Sequence, residues 1–199
     1  MEIDPSNYLG SVYHLVTSTV IPRPIGWAST VDTSGARNLA PFSFFNAVSG
    51  DPPILMISVG QRDGRAKDTL GNITETGEFV LNIVSEAVAQ QMNLTSGNYM
   101  PDVDEFALSG LTPLPSVKVK APRVAEASVT MECVLIQTVP LPRSEYTVIL
   151  GEVVYFHIDD AILDERGRVD PVKLAPVARL GGSSWYTALG HIFEMKRPP

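Results

Sequence analysis

Asn38-Leu39-Ala40-Pro41-Phe42-Ser43-Phe44-Phe45-Asn46, set between a turn at Asp32 to Gly35 and a second turn at Ser49 to Pro53, is the stretch on which the architecture hinges. Read as one extended strand it is irregular. A half-buried strand alternates polar and apolar side chains, whereas here Asn, Ser and Asn recur among aromatics with a proline in the middle. Such a strand is built to hold something flat and polar. Its aromatics and Ala40 offer apolar contact, Ser43 and the two asparagines offer donors and acceptors, and Pro41 withholds one backbone donor. An edge strand that carries polar side chains has the same signature, and the stretch alone leaves both readings open.

Outward from this stretch, Ile25 to Val31 reads as a strand ending at Asp32-Thr33-Ser34-Gly35, where Gly35 closes a hairpin onto Arg37 to Val48. Ser49-Gly50-Asp51-Pro52-Pro53 then turns the chain into Ile54 to Val59, so three strands are expected as a meander. A polar loop leads to a short helix over Asp68 to Thr76, capped by Asp68 or Thr69 and stopped by Gly77. Phe79 to Val84 is the next strand, and Ser85 caps a second helix over Glu86 to about Leu94. In Val124 to Val139, Ala127, Val129, Met131, Cys133 and Leu135 alternate with Ser128, Thr130 and Glu132, the pattern of a long antiparallel strand. Tyr146 to Ile158 is nearly continuously apolar, with Gly151 as a bend or bulge. Strands this long fit a barrel better than a flat sheet. Gly181-Gly182-Ser183-Ser184-Trp185-Tyr186 reads as a loop able to approach a ligand or a partner.

Composition narrows the class. The 199 residues, 44% hydrophobic and 19% charged, suffice for one large domain spanning 1–199, and no repeat or linker divides them. A net charge of −7 argues against nucleic acid as a partner and favours small molecules. Met1-Glu2-Ile3-Asp4-Pro5 has no basic or apolar leader character and no stretch is a membrane span, so a cytoplasmic location without membrane contact is expected. The single Cys133 lies in an apolar alternation and reads as a core thiol. The sequons at Asn72 and Asn93 are chance matches without a secretory signal.

Most chemical motifs are absent. His14, His157 and His191 lie far apart, so no metal-ligand spacing exists, and His191 and Glu194 alone do not make one. No G-x-G-x-x-G, P-loop or G-x-S-x-G occurs. What remains is a cationic patch: Arg62, Arg65 and Lys67 directly precede the helix at Asp68, so side-chain charge and helical N–H groups converge on one anion. A solvated loop balanced by Asp63 and Asp68 is the competing account. A ring-binding strand followed closely by a phosphate-binding loop is what a flavin mononucleotide requires.

Pro22-Arg23-Pro24-Ile25-Gly26-Trp27-Ala28-Ser29-Thr30-Val31-Asp32, the Asn38 to Asn46 stretch, Asp51-Pro52-Pro53, Lys67-Asp68-Thr69, Asn72-Ile73 and Thr76 to Asn82 together resemble the flavin reductase-like domain family. The resemblance runs over roughly residues 8 to 195, and the motifs occur in the family's order and spacing. It implies a mainly β fold with short helices, an FMN-binding split β-barrel of Greek-key type that forms a homodimer. It also implies hydride transfer from NADH or NADPH to the flavin, with electrons or reduced flavin passed to an acceptor such as an oxygenase partner.

On these positions the resemblance places FMN near Trp27, Ala28, Ser29 and Thr30, near Asn38 to Asn46, near Arg65 to Thr69, and beside Tyr186 of the C-terminal loop. Arg65 and Lys67, with the Ser29 or Thr30 hydroxyls and the helix start at Asp68 and Thr69, are the phosphate candidates. Ala40, Pro41, Phe42 and Ser43 would meet the isoalloxazine edge, and Asn38 and Asn46 need polar partners from the protein or the flavin. Arg23 is either a further cation or a barrel-rim brace, and no catalytic acid, base or nucleophile is expected. Two alternatives stay open. One is an FMN electron carrier without NAD(P)H activity. The other is a different flavin enzyme that takes an organic substrate under the Asn98 to Phe106 loop.

Overall fold

The computed structural model describes residues 1–62 and 64–198, the side chain of Arg62 excepted, so that the Arg62 and Asp63 side chains invoked above lie outside the described residues. From the N-terminus come helix α1 (Val12–Thr19) and strands β1 (Arg23–Pro24), β2 (Gly26–Val31), β3 (Arg37–Phe42), β4 (Phe45–Gly50), β5 (Pro53–Arg62) and β6 (Arg65–Ala66). Helix α2 (Asp68–Thr76), strand β7 (Glu78–Ile83), helices α3 (Ala89–Leu94) and α4 (Glu105–Ser109) and strands β8 (Pro113–Leu114) and β9 (Arg123–Val124) follow. The long strands β10 (Val129–Pro140) and β11 (Tyr146–Ile158), helix α5 (Pro171–Leu174) and the short β12 (Ala178–Arg179) and β13 (Tyr186–Thr187) complete the chain.

The main sheet is antiparallel, in the order β3-β2-β7-β10-β11-β5-β4, with β6 paired to β5. Its two edge strands, β3 and β4, are consecutive in sequence and joined only by Ser43 and Phe44. The sheet therefore rolls round until its edges meet at that link, and the Ser58 N–H donates to the Phe44 carbonyl at 2.8 Å to hold the seam. This is a split barrel. The single strand expected over Arg37 to Val48 is thus two, and the three-strand meander does not form, because the stretch bends at Ser43-Phe44 and sends its halves to opposite edges. The connection from β5 through α2 places β7 beside β2, which gives the Greek-key crossing.

One core fills the barrel: Phe42, Phe45, Ile57, Val59, Phe79, Leu81, Met131, Cys133 and Ile149, plugged by Ile73 of α2. A second lies outside β2 and β3, where Trp27 and Leu39 meet Met92 of α3 and Phe106 of α4. Covered on both faces, β2 is buried along its whole length and its residues cannot alternate. Burial pushes the Cys133 thiol well above its usual range, consistent with a core thiol. The β10–β11 ladder confirms both long strands. Gly151 is required there, since a Cβ would lie 2.3 Å from the Phe79 ring.

Three local expectations change. The N-cap of α2 is Lys67 rather than Asp68 or Thr69, and no side chain caps that end. The helix after Ser85 is a short 3₁₀ turn, Glu86–Val88, running into α3. The polar face of β10 is covered as well: Glu132 is fully buried and accepts the N–H groups of Val117, Lys118 and Val119 and a 2.6 Å contact from His157 Nε2. No helix among the described residues is long and apolar enough to cross a membrane.

Candidate active site

A cavity of about 500 Å³ opens along the outer edge of β3. Its floor is Asn38, Ala40 and Pro41, one end is Arg65 to Thr69, and its far wall is the 95–101 loop with Glu105 of α4. The edge of β3 can serve as a floor because β2 pairs with only one side of it. Along the free side backbone groups recur every second residue, so Leu39, Pro41 and Ser43 face outward together. The Leu39 N–H goes to Glu105 Oε2 at 3.0 Å, and Pro41, next in the series, has no N–H to leave unpaired.

At the cationic end the first turn of α2 meets the cavity without a side-chain cap. Orphan N–H groups and the positive end of the helix dipole are thus presented beside the side chains of Arg65 and Lys67. Lys67 Nζ lies 5.7 Å from the centroid of the Phe42 ring, which supports the lysine stem from the barrel side. Along this end runs a partly buried polar relay. Thr69 Oγ1 donates to Asn38 Oδ1 at 2.9 Å, and Asn38 Nδ2 donates to Glu105 Oε1 at 3.1 Å. The relay clamps α2, β3 and α4 together. Burial raises the Glu105 carboxyl above the ordinary range, against the pull of the Leu39 N–H and with smaller contributions from Asp68 and Asp104. Next in sequence to Asn38 and Glu105, Arg37 and Asp104 form an ion pair that joins β3 to the start of α4.

A second hollow of about 180 Å³ continues from the first across Pro41 and Ser96. Ser43, Asn93, Arg179, Ser183 and Tyr186 line it. β12 pairs with β1, Arg23 opposite Arg179, and β13 pairs with β12, which brings the last three here.

Of the residues singled out from sequence, Asn38, Ala40, Pro41, Arg65, Lys67, Asp68 and Thr69 line the first cavity, and Pro41, Ser43 and Tyr186 the second. Trp27, Ala28, Ser29 and Thr30 do not reach either. All four are fully buried in β2. The Ser29 hydroxyl donates to the Pro122 carbonyl, and Thr30 Oγ1 accepts from Asn72 Nδ2 at 3.0 Å, so both hydroxyls are committed inside the protein. Phe42 is a barrel-core residue. Asn46 sits exposed on β4, at the opposite sheet edge, with its Oδ1 accepting the N–H of Ala47. Arg23 is the rim brace: its guanidinium donates to the carbonyls of Thr17, Val20 and Leu180. Glu105 and Arg179 were not anticipated, and no local pattern marks them.

Residues 17–173 match the model of the family described as "Flavin reductase like domain". An uncharacterised protein of Aquifex aeolicus is 48% identical over 181 residues, 90% of this chain and 91% of that one. Nitrilotriacetate monooxygenase component B from Bacillus cereus superposes with a TM-score of 0.92 at 36% identity, over 98% of each chain. The 2-nitrobenzoate 2-nitroreductase of Pseudomonas fluorescens superposes with a TM-score of 0.87 at 30% identity, over 100% of this chain and 96% of that one.

Proposed function

The chain belongs to the flavin reductase-like domain family, and we propose that it binds FMN along the edge of β3 and works as an NAD(P)H:flavin oxidoreductase. The observation that carries this is the cavity's polarity along its length. It begins at a cationic, uncapped helix terminus and ends at a polar hollow, with an edge strand between them. From Asn38 to Ser43 that edge runs roughly 17 Å at about 3.4 Å per residue, the scale of an extended mononucleotide. Phosphate at Arg65, Lys67 and the first N–H groups of α2 puts a dianion where the helix dipole and two side-chain charges favour it. The ring then lies against Ala40, Pro41 and Ser43.

The residues present fit such a group. Asn38, Thr69 and Glu105 hold the two ends of the cradle in register through their relay, so the site is organised before the cofactor arrives. Bound FMN would supply the redox chemistry, taking a hydride from NADH or NADPH together with a solvent proton and yielding two electrons to an acceptor. The chain's task is to bind, orient and shield. The likeness to component B supports a separate oxygenase as the acceptor, and the family resemblance supports a cytoplasmic homodimer of single-domain chains as the working form.

Reconstitution with FMN, followed by anaerobic addition of NADH and then NADPH, tests the proposal through the visible flavin absorbance. Rapid bleaching by either nucleotide is expected and identifies the donor. Bound FMN that stays oxidised with both would leave a carrier instead of a reductase, and failure to bind FMN would remove the site assignment.

A further inference from the structure

The two arginines that β1 and β12 place side by side are out of proportion to the acidic protein around them. Arg23 is buried, and every acceptor it reaches is uncharged: three carbonyls and Ser43 Oγ, the last at 3.4 Å. Arg179 gives Nη2 to the Ser183 carbonyl at 2.7 Å, with a longer contact to Gly182, and its Cζ lies 4.6 Å from the Tyr186 ring centroid. Its Nη1 is buried and has no hydrogen-bond partner. Among the described residues neither guanidinium is ion-paired to a carboxylate. Burial lowers the Arg23 pKa and the Arg179 charge lowers it further, although Tyr13 acts in the opposite sense.

The second hollow receives this charge, and among the described residues no acidic one lines it. Ser96 spends its hydroxyl on the Asn93 carbonyl, but two of the polar groups, Ser43 and Asn93, keep donors. Because Arg23 Nε donates to Ser43 Oγ, the Ser43 O–H is directed elsewhere. Because the Tyr186 hydroxyl donates to Asn93 Oδ1 at 3.3 Å, the Asn93 amide keeps its N–H₂ for another acceptor. A small pocket with a guanidinium, an amide N–H₂ and serine hydroxyls, and with no counter-charge, is complementary to an anion.

We propose that this hollow is a subsite for an anionic group, a carboxylate or a phosphate, carried by the molecule that exchanges electrons at the adjoining cavity. Its position rests on the flavin assignment; its anion affinity does not. Arg179 supplies the charge, Asn93 and Ser43 supply orienting hydrogen bonds, and the group is held next to the Pro41 end of β3. The same chemistry arises from two sources, an organic acid that accepts electrons or the phosphates of a dinucleotide that donates them.

The test uses sodium benzoate and inorganic pyrophosphate as probes, titrated at constant ionic strength into flavin-free and FMN-loaded protein and followed by thermal shift and Trp185 fluorescence. Saturable stabilisation by at least one probe is expected in both forms. Response to benzoate alone assigns the subsite to an acid substrate, and response to pyrophosphate alone assigns it to a dinucleotide. Arg179→Gln should weaken that probe about tenfold. Asn93→Asp, which keeps the acceptor for Tyr186 but adds a negative charge, should weaken it at least as much without touching the loop that Arg179 braces. No saturable response in wild type, or equal affinities in wild type and both variants, would overturn the subsite. FMN affinity, read by flavin fluorescence on the same samples, reports separately on the flavin assignment.

Discussion

Lys67 occupies the N-cap of α2, where Ser, Thr, Asp or Asn would ordinarily satisfy the first N–H groups. A lysine there adds charge to a helix end that already attracts anions, and offers no capping oxygen. Replacing it with alanine should therefore raise the FMN dissociation constant about tenfold, roughly 1.4 kcal/mol, while the melting temperature barely moves. Ser29→Ala is the informative contrast. Its hydroxyl is spent on Pro122, so that variant should lose stability and keep FMN affinity within about twofold, both read by fluorescence quenching and thermal melts. Most of the candidate site was legible at this scale because Asn38 to Ser43 and Arg65 to Thr69 are contiguous runs that line the two cavities. Ser29 and Thr30 fall outside the cavity because sequence alternation does not reveal which strand faces are covered, and Asn46 because the stretch bends at Ser43-Phe44 and carries it to the other edge. Glu105 meets Leu39 across 66 positions of sequence, a distance over which no local pattern operates.

Strands were the most readable elements, and their pairing the least. The alternation of β10 and the apolar run of β11 gave both long strands, yet the bend at Ser43-Phe44 lies in a stretch whose two halves each have strand character. Only non-local partners, β2 for one half and β5 for the other, separate them. The polar side of β10 illustrates the same difficulty. Glu132 sits where an antiparallel strand exposed on one face would show solvent, but the 115–124 segment lies over it and spends three N–H groups on its carboxylate. Burial by itself would raise this carboxyl; the His157 contact and the three backbone donors outweigh it and hold it below the usual range. A carboxyl depressed in the folded state contributes stability above its unfolded pKa, about 4.3, and loses that contribution as pH falls through the lower folded value. Glu132→Gln should cost about 2–3 kcal/mol at neutral pH by chemical denaturation. It should also flatten the acid limb of the wild-type stability curve. An unchanged acid limb in the variant would show that Glu132 does not anchor the 115–124 segment.

For the whole molecule, the largest unanswered demand is apolar surface. In α1 only Thr17 is buried, and Val12, Tyr13 and Val16 face outward. Residues 188–198 form neither helix nor strand and expose Ile192, Phe193 and Met195. Scattered apolar residues are ordinary on a protein surface, but two contiguous sets in an acidic chain exceed what solubility favours. A second copy of the chain is the occupant that fits the homodimer proposed above, since an isologous interface covers the same patch on both partners at once. The Gly182 to Tyr186 loop contributes Ser183 and Tyr186 to the second hollow, and a Cβ at the preceding Gly181 would fall 2.8 Å from the Ser18 backbone of α1, so the start of the loop is already seated on that helix. Dimerisation would then brace α1, the loop and Arg179 as one unit. Sedimentation of the full chain should give a dimer at micromolar concentration. Removal of residues 188–199 should raise the dimer dissociation constant at least about tenfold, with anion affinity at Arg179 falling in parallel. A truncated chain that remains dimeric would place the interface away from the tail. A monomer that binds pyrophosphate or benzoate as tightly as the full chain would uncouple assembly from the site.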